Sequence, residues 1–304
     1  MKSRALNREE DSDARSFESV EPSAADIPVP PPDSQNGLRV ARVQELTRAE
    51  RDTMYSLLSE YYLHVSRQQF ERDLAEKEWV VLGTDPITKK AWAFSTLMRL
   101  QATVDGERVL ALYSGDTVAR KECWGGQSTP AVRMLVQLLF NIVKKAGVRR
   151  AYWFMISSTH KSYRLLPMLF REFYPSPNHP RSDAAELVLR ELTELKHFSY
   201  DPERSIVQFS NPTVFRPGLA ENSDSGATDP YISFYASRNS GESTGDRLAS
   251  LTELSEANLT ALGQRFVRSR VDAGGGSDLI DAALGLPGAA VDPGIDADRL
   301  PATA

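Results

Sequence analysis

The segment from Thr129 to Gly147 constrains the fold of this chain more than any other. Thr129-Pro130 offers an N-cap and a proline at the first helical position. Val132, Leu135, Val136, Leu139, Ile142, Val143 and Ala146 then recur at three- and four-residue spacing, which predicts an amphipathic helix with one apolar face. Gly147 closes it as a C-cap glycine. Arg150–Ser157 follows as a predicted strand, and its apolar run Ala151–Ile156 is that of a strand covered on both faces. A one-faced helix leading into a doubly buried strand points to layered α/β architecture.

Upstream, Leu38–Val43 is predicted as a short strand. Thr47-Arg48-Ala49-Glu50 forms a capping box that opens a helix to about Tyr62. Ser66-Arg67-Gln68-Gln69 repeats the signal for a second helix to about Glu78. Trp79–Thr84, Ala91–Val104 and Arg108–Val118 read as antiparallel strands, with turns at Asp85-Pro86 and Asp105-Gly106. Downstream, Ser162–Phe170 is expected to be helical despite Pro167, Ser205–Ser210 and Tyr231–Ala236 to be strands, and Ser250-Leu251-Thr252-Glu253 to cap a last helix reaching about Val267.

The net charge of -5 is unevenly placed. Residues 1–37 carry -4 and residues 268–304 carry -3, leaving residues 38–267 at +2. A nearly neutral centre excludes the strong basic excess of a typical nucleic-acid binder. Residues 1–37, with their acidic, serine- and proline-rich composition, are expected to be a disordered tail; residues 268–304, rich in Gly, Ala and Asp, a flexible one. Leu279–Leu286 in the second tail reads as a helical turn or a docking motif. The folded unit is expected over 38–267. The single cysteine, Cys123, suits a reducing, cytoplasmic setting. No run approaches the roughly 20 apolar residues of a membrane helix. Oligomeric state is left open by the sequence.

The order strand, two helices, three antiparallel strands, long helix, strand, helix over residues 38–175 resembles the GNAT (Gcn5-related N-acetyltransferase) fold, a mixed, mostly antiparallel central sheet flanked by helices. That resemblance implies a cleft where the fourth and fifth strands, here Arg108–Val118 and Arg150–Ser157, splay to admit the pantetheine arm of acetyl-CoA or a longer acyl-CoA, or of an acyl carrier protein. It implies transfer of the acyl group to a small-molecule amine or a peptide, with no metal. A non-catalytic binding or scaffold module of the same fold is the alternative.

The family's signature is Gln/Arg-x-x-Gly-x-Gly/Ala before the long helix, where backbone amides face a pyrophosphate. At that place this chain has Val118-Ala119-Arg120-Lys121-Glu122-Cys123-Trp124-Gly125-Gly126-Gln127-Ser128-Thr129, with its glycines adjacent instead of separated by one residue. Val118, Arg120, Lys121, Gly125, Gly126, Gln127, Ser128 and Thr129 are therefore the candidate donor-binding residues. A plain glycine turn capping the helix is the competing reading.

Acyl transfer from a thioester needs a deprotonated amine, an N–H donor for the tetrahedral oxyanion and an acid for the departing thiolate. The resemblance assigns the acid to a tyrosine after the fifth strand, which matches Tyr163. The oxyanion donor is expected among the backbone amides of Asp116–Val118. Asp116 is the candidate to hold or deprotonate the amine, with Glu122 as a weaker rival; strict alternation places it on the face opposite Tyr113 and Gly115. His160, at a strand end, and Cys123, beside Lys121 and glycines, are further candidates. His64, His160, His179 and His197 have no metal-site spacing. The apolar stretch Tyr163–Pro175 is either a packed helix and its exit or a wall for a longer acyl chain. No Gly-x-Ser-x-Gly elbow, Walker loop or Gly-x-Gly-x-x-Gly fingerprint is present.

Overall fold

A computed structural model describes residues 23–28, 33, 37–124, 129–219 and 229–268. Its centre is an eight-stranded sheet in the order β1-β3-β4-β5-β6-β10-β8-β7. The strands are β1 (Leu38–Arg42), β3 (Trp79–Thr84), β4 (Ala91–Val104), β5 (Glu107–Ala119), β6 (Ala151–Ser157), β7 (Ser199–Asp201), β8 (Ile206–Gln208) and β10 (Arg247–Glu253). Every neighbouring pair is antiparallel except β5 and β6, which run parallel. β2 (Tyr62–Leu63) and β9 (Val214–Phe215) form a separate short ladder.

The helices are α1 (Arg48–Tyr61), α2 (Arg67–Ala75), α3 (Thr129–Ala146), α4 (His160–Tyr163), α5 (Leu165–Leu169), α6 (Asp183–Leu195), α7 (Pro230–Arg238) and α8 (Ala261–Arg268). Alternation along the strands divides them between two layers. Trp79, Val81, Leu110, Leu112, Trp153 and Met155 pack with Leu135, Leu139 and Ile142 of α3 and Phe266 of α8. On the opposite face Val80, Leu82 and Phe94 meet α1 and α2, while Ala111, Tyr113 and Phe154 meet Val188, Leu189 and Leu192 of α6.

The upstream local signals act as expected. Thr47 and Glu50 form the capping box of α1, the Ser66 side chain accepts from Gln69 N, and Gly147 ends α3 at φ +63°. Downstream, several expectations are corrected. Ser162–Phe170 is two short helices broken at Arg164; Pro167 sits in the first turn of α5, where a missing N–H breaks no helical bond. Residues 231–236 lie in helix α7, not a strand, because Asp229 caps the Tyr231 and Ile232 amides and Pro230 occupies the first turn. Ser250–Glu253 belongs to β10, not a helix cap: Ser250, Leu251 and Thr252 are buried in a strand held by β6 along its length and by β8 at its start. Tertiary pairing overrides the local capping pattern there.

At the N-terminus, Ile27 is buried in the main core and Asn141 donates to the Pro28 carbonyl, so residues 23–28 are not part of a detached tail. Most of 1–37, nearly all of 268–304, and the Leu279–Leu286 segment lie outside the described residues.

Candidate active-site cleft

β5 and β6 pair from Leu110↔Ala151 to Ser114↔Met155 and then separate. Beyond that point β5 continues on β4 to Ala119, and β6 continues on β10 to Ser157. The gap is a narrow cleft walled by Ser114–Val118 on one side and Met155, Ile156 and Ser158 on the other, with Leu135 of α3 and Leu165 of α5 beneath. The Trp153 indole N–H donates to Ser114 Oγ at 2.5 Å, bridging the last steps of the pair before it opens.

The same place carries a β-bulge. Ser95 faces Thr117 and Leu97 faces Ser114, so Gly115 and Asp116 together oppose the single residue Thr96. A bulge takes one residue out of the ladder and reverses the side-chain alternation beyond it. Asp116 consequently shares a cavity with Tyr113, which corrects the strict-alternation expectation. Gly115 leaves this space open: a Cβ there would lie 2.6 Å from both Lys77 Cε and Thr96 Oγ1, so those side chains would have to shift.

On the α1–α2–α6 side of the bulge lies a polar cavity of about 240 Å³. Asp116, Leu58 and Arg247 line both it and the cleft, so the two spaces meet there. Lys77 is buried at the cavity wall; its Nζ donates to the Asp73 carbonyl at 2.8 Å and lies 5.6 Å from the Tyr113 ring centre. Burial pushes the Lys77 ammonium down, and the Lys196 charge adds to this. Burial raises the Asp73 carboxyl, with the charge of Asp116 next in effect. Burial also raises Tyr113.

At the other end of the cleft, the segment after β5 is tied down. Arg120 N donates to Trp92 O, Lys121 N to the Tyr61 hydroxyl, and the Trp124 indole to Ala119 O. Lys161 Nζ stands 3.8 Å above the Trp124 ring, near enough to Lys121 for their charges to interact. Lys121 and Lys161 thus bring two cations together between the end of β5 and the start of α4, with Arg120 preceding Lys121 in the chain. Val118 lines the cleft. Gly125, Gly126, Gln127 and Ser128 lie outside the described residues, and of Thr129 only its place at the start of α3 is described.

Other candidates fall elsewhere. Tyr163 is fully buried among Phe173, Phe234 and Tyr235, and its hydroxyl donates to Pro175 O at 2.8 Å. It lines neither the cleft nor the cavity, and burial drives its hydroxyl far above the ordinary tyrosine range. This is the placement of a packed aromatic, with its hydroxyl turned away from both spaces. Burial, and then the charge of Glu122, raise the Cys123 thiol, the reverse of an activated nucleophile. His160 is buried beneath α7 against Tyr235. The apolar stretch after Tyr163 is core: Leu166, Leu169, Phe170 and Phe173 are all buried, and Leu165 reaches the cleft.

Four residues emerge from the tertiary structure alone. The Tyr62 hydroxyl lies 2.8 Å from Ser158 Oγ in the wall of the cleft. Lys77, Lys161 and Arg247 arrive from three unrelated segments. Lys77 is one charge in Glu76-Lys77-Glu78, and nothing local marks it as buried.

No family model matches the chain, and no curated protein matches it. Among solved structures, a probable N-acyltransferase from Enterococcus faecalis V583 is 15% identical, covering 42% of this chain and 31% of that one, at a TM-score of 0.32. N-myristoyltransferase of Saccharomyces cerevisiae with bound myristoyl-CoA and inhibitors is 16% identical, covering 44% and 33%, at 0.33. A GCN5-related N-acetyltransferase from Kribbella flavida is 12% identical, covering 73% and 66%, at 0.33. The chain spans about a third of the length of the first two. These likenesses are faint, and the sheet itself is the firmer ground. Antiparallel strands flank one parallel pair that opens at its far end, and a long helix crosses between the two parallel strands; this is the mixed, mostly antiparallel sheet that the sequence resemblance to the GNAT fold implies.

Proposed function

We propose that the protein transfers an acyl group from acyl-CoA, or from the same phosphopantetheine arm on a carrier protein, to an amine by direct attack. The observation that carries this reading is the junction at Asp116. A cleft between parting parallel strands meets a polar cavity across one carboxylate and one guanidinium. The arm occupies the cleft, with the donor's phosphates toward Arg120, Lys121 and Lys161, and the amine enters from the cavity.

In the reaction the amine nitrogen attacks the thioester carbonyl carbon. The carbonyl oxygen becomes an oxyanion, met by backbone N–H groups of the bulged segment Asp116–Val118. Collapse of the intermediate breaks the C–S bond, and the amine's proton is in balance with the one the thiolate takes up. Tyr62, paired with Ser158 in the cleft wall, is assigned the donation to the thiolate in place of Tyr163. Asp116 holds the incoming ammonium and takes the proton whose loss frees the amine to attack; the second proton, shed by the nitrogen after attack, replaces the one Tyr62 gives the thiolate.

The test is thiol release from acetyl-CoA and longer acyl-CoAs against a panel of amines, beside thermal shift with each donor. Donor binding with amine-dependent thiol release supports the reading. An acyl group trapped on Cys123 and passed on to amines would overturn direct attack. Tight donor binding with no acceptor turned over would favour the non-catalytic module.

A further inference from the structure

The charges lining the cavity do not balance group by group, and the imbalance describes a ligand. Glu76 is ion-paired with Lys196, and Lys77 is held by the Asp73 carbonyl with Glu76 at 3.9 Å. Three charged groups are left over. The Asp73 carboxylate accepts from the uncharged Gln69 amide. Asp116 accepts no hydrogen bond and joins no ion pair among the described residues, although it stands close enough to influence Asp73, Lys77 and Tyr113. Arg247 has no carboxylate within ion-pair distance among the described residues. Its Nη2 donates to Thr213, and its Nε is buried with no hydrogen-bond partner.

The half-buried guanidinium lies 5.2 Å from the Phe209 ring centre and 5.8 Å from that of Tyr62, contacts that leave its charge without a counter-ion, and a planar fork of donors suits a carboxylate. A simple amine would answer the aspartates and leave Arg247 unmatched; a simple acid would do the opposite. Asp116 and Arg247 both sit where cleft and cavity meet, so the two charges they call for lie close together on the ligand. The cavity, at about 240 Å³, is below the roughly 300–1,000 Å³ of ordinary ligand pockets. Phe70, Phe198 and Phe209 give its remaining wall an apolar, aromatic character.

We infer that the acceptor is a free α-amino acid, its amine at Asp116, its carboxylate on Arg247 and an apolar side chain against Phe70, Phe198 and Phe209. This rests on the acyl-transfer reading above and narrows its substrate class.

The experiment uses the full chain and three probes: L-phenylalanine, its methyl ester and phenethylamine. Binding is measured calorimetrically with and without CoA, and thiol release with acyl-CoA as donor. L-Phenylalanine is expected to bind, and to be acylated, at least about tenfold better than either analogue lacking the carboxylate. Arg247→Gln should erase that preference, and Arg247→Lys should restore only part of it. The wild-type comparison needs no variant to fold. Equal use of phenethylamine and L-phenylalanine would overturn the amino-acid inference and leave acyl transfer standing. Selective binding of L-phenylalanine without thiol release from any donor would do the reverse. Loss of acyl-CoA binding in Arg247→Gln with the amino-acid preference intact would assign Arg247 to the donor and overturn its role here.

Discussion

The Trp153 indole donates its only N–H to Ser114 Oγ, and Ser114 is the last residue of β5 to pair with β6. The contact lies in the core, with Trp153 inaccessible to solvent. Removing the hydroxyl in Ser114→Ala orphans a buried donor, which costs about 1–3 kcal/mol. Urea unfolding should register that loss, and acyl-CoA affinity should weaken as the mouth of the cleft loses its fixed width. Unchanged stability would mean the indole finds another acceptor.

Tyr163 and Tyr62 should separate cleanly. Tyr163→Phe removes a hydroxyl that serves the Pro175 carbonyl, so it should cost about 1 kcal/mol of stability and leave kcat close to wild type. Tyr62→Phe should lower kcat by about 10²-fold or more while acyl-CoA affinity is kept, if its hydroxyl protonates the thiolate. The paired measurement is thiol release under saturating donor. A large kcat loss in Tyr163→Phe alone would return the acid to the position the resemblance first gave it.

Gly115 and Lys77 compete for one space. Gly115→Ala places a methyl 2.6 Å from Lys77 Cε, and overpacking of this kind costs about 1–3 kcal/mol. Shortening the lysine in the double variant Gly115→Ala/Lys77→Ala should recover part of the stability lost by Gly115→Ala, beyond what adding the single effects allows. Strict additivity in chemical denaturation would show that Thr96, on the other side of the methyl, is the real obstacle.

His160 should make the fold sensitive to acid. Burial, then the charges of Lys161 and Arg164, push it down to about 4. An unfolded histidine titrates near 6.5. Between these values the unfolded chain binds a proton that the folded chain refuses, so stability falls as pH drops from about 6.5 to 4, by at most about 1.4 kcal/mol per pH unit from this group. Above 6.5 the contribution is flat. His160→Gln should flatten the curve of unfolding free energy against pH in that window. An unaltered slope would place the acid sensitivity in other residues.

What the sequence determined by itself was local and periodic. The seven apolar positions of α3, the caps at Thr47, Ser66 and Gly147, and the doubly apolar strand β6 are written in short windows, and physical chemistry reads them without knowledge of neighbours. Their order carried the resemblance to the GNAT fold, and it was that resemblance that implied the place where β5 and β6 part. The interior of the site was not legible in this way. Strict alternation put Asp116 on the wrong face, because one extra residue at 115–116 reverses the parity of the strand, and that bulge exists only against β4. Ser250–Glu253 carries a capping pattern yet becomes part of β10, since its ladder with β6 and its bridge to Tyr174 on the other edge outweigh one local cap. Tyr163 had the right neighbourhood in sequence, but α7 packs over it and turns it into core. Lys77, Lys161 and Arg247 are ordinary charges in the chain. Only the tertiary structure, by burying Lys77 at the cavity wall, standing Lys161 over Trp124 and setting Arg247 between cleft and cavity, gave each its place.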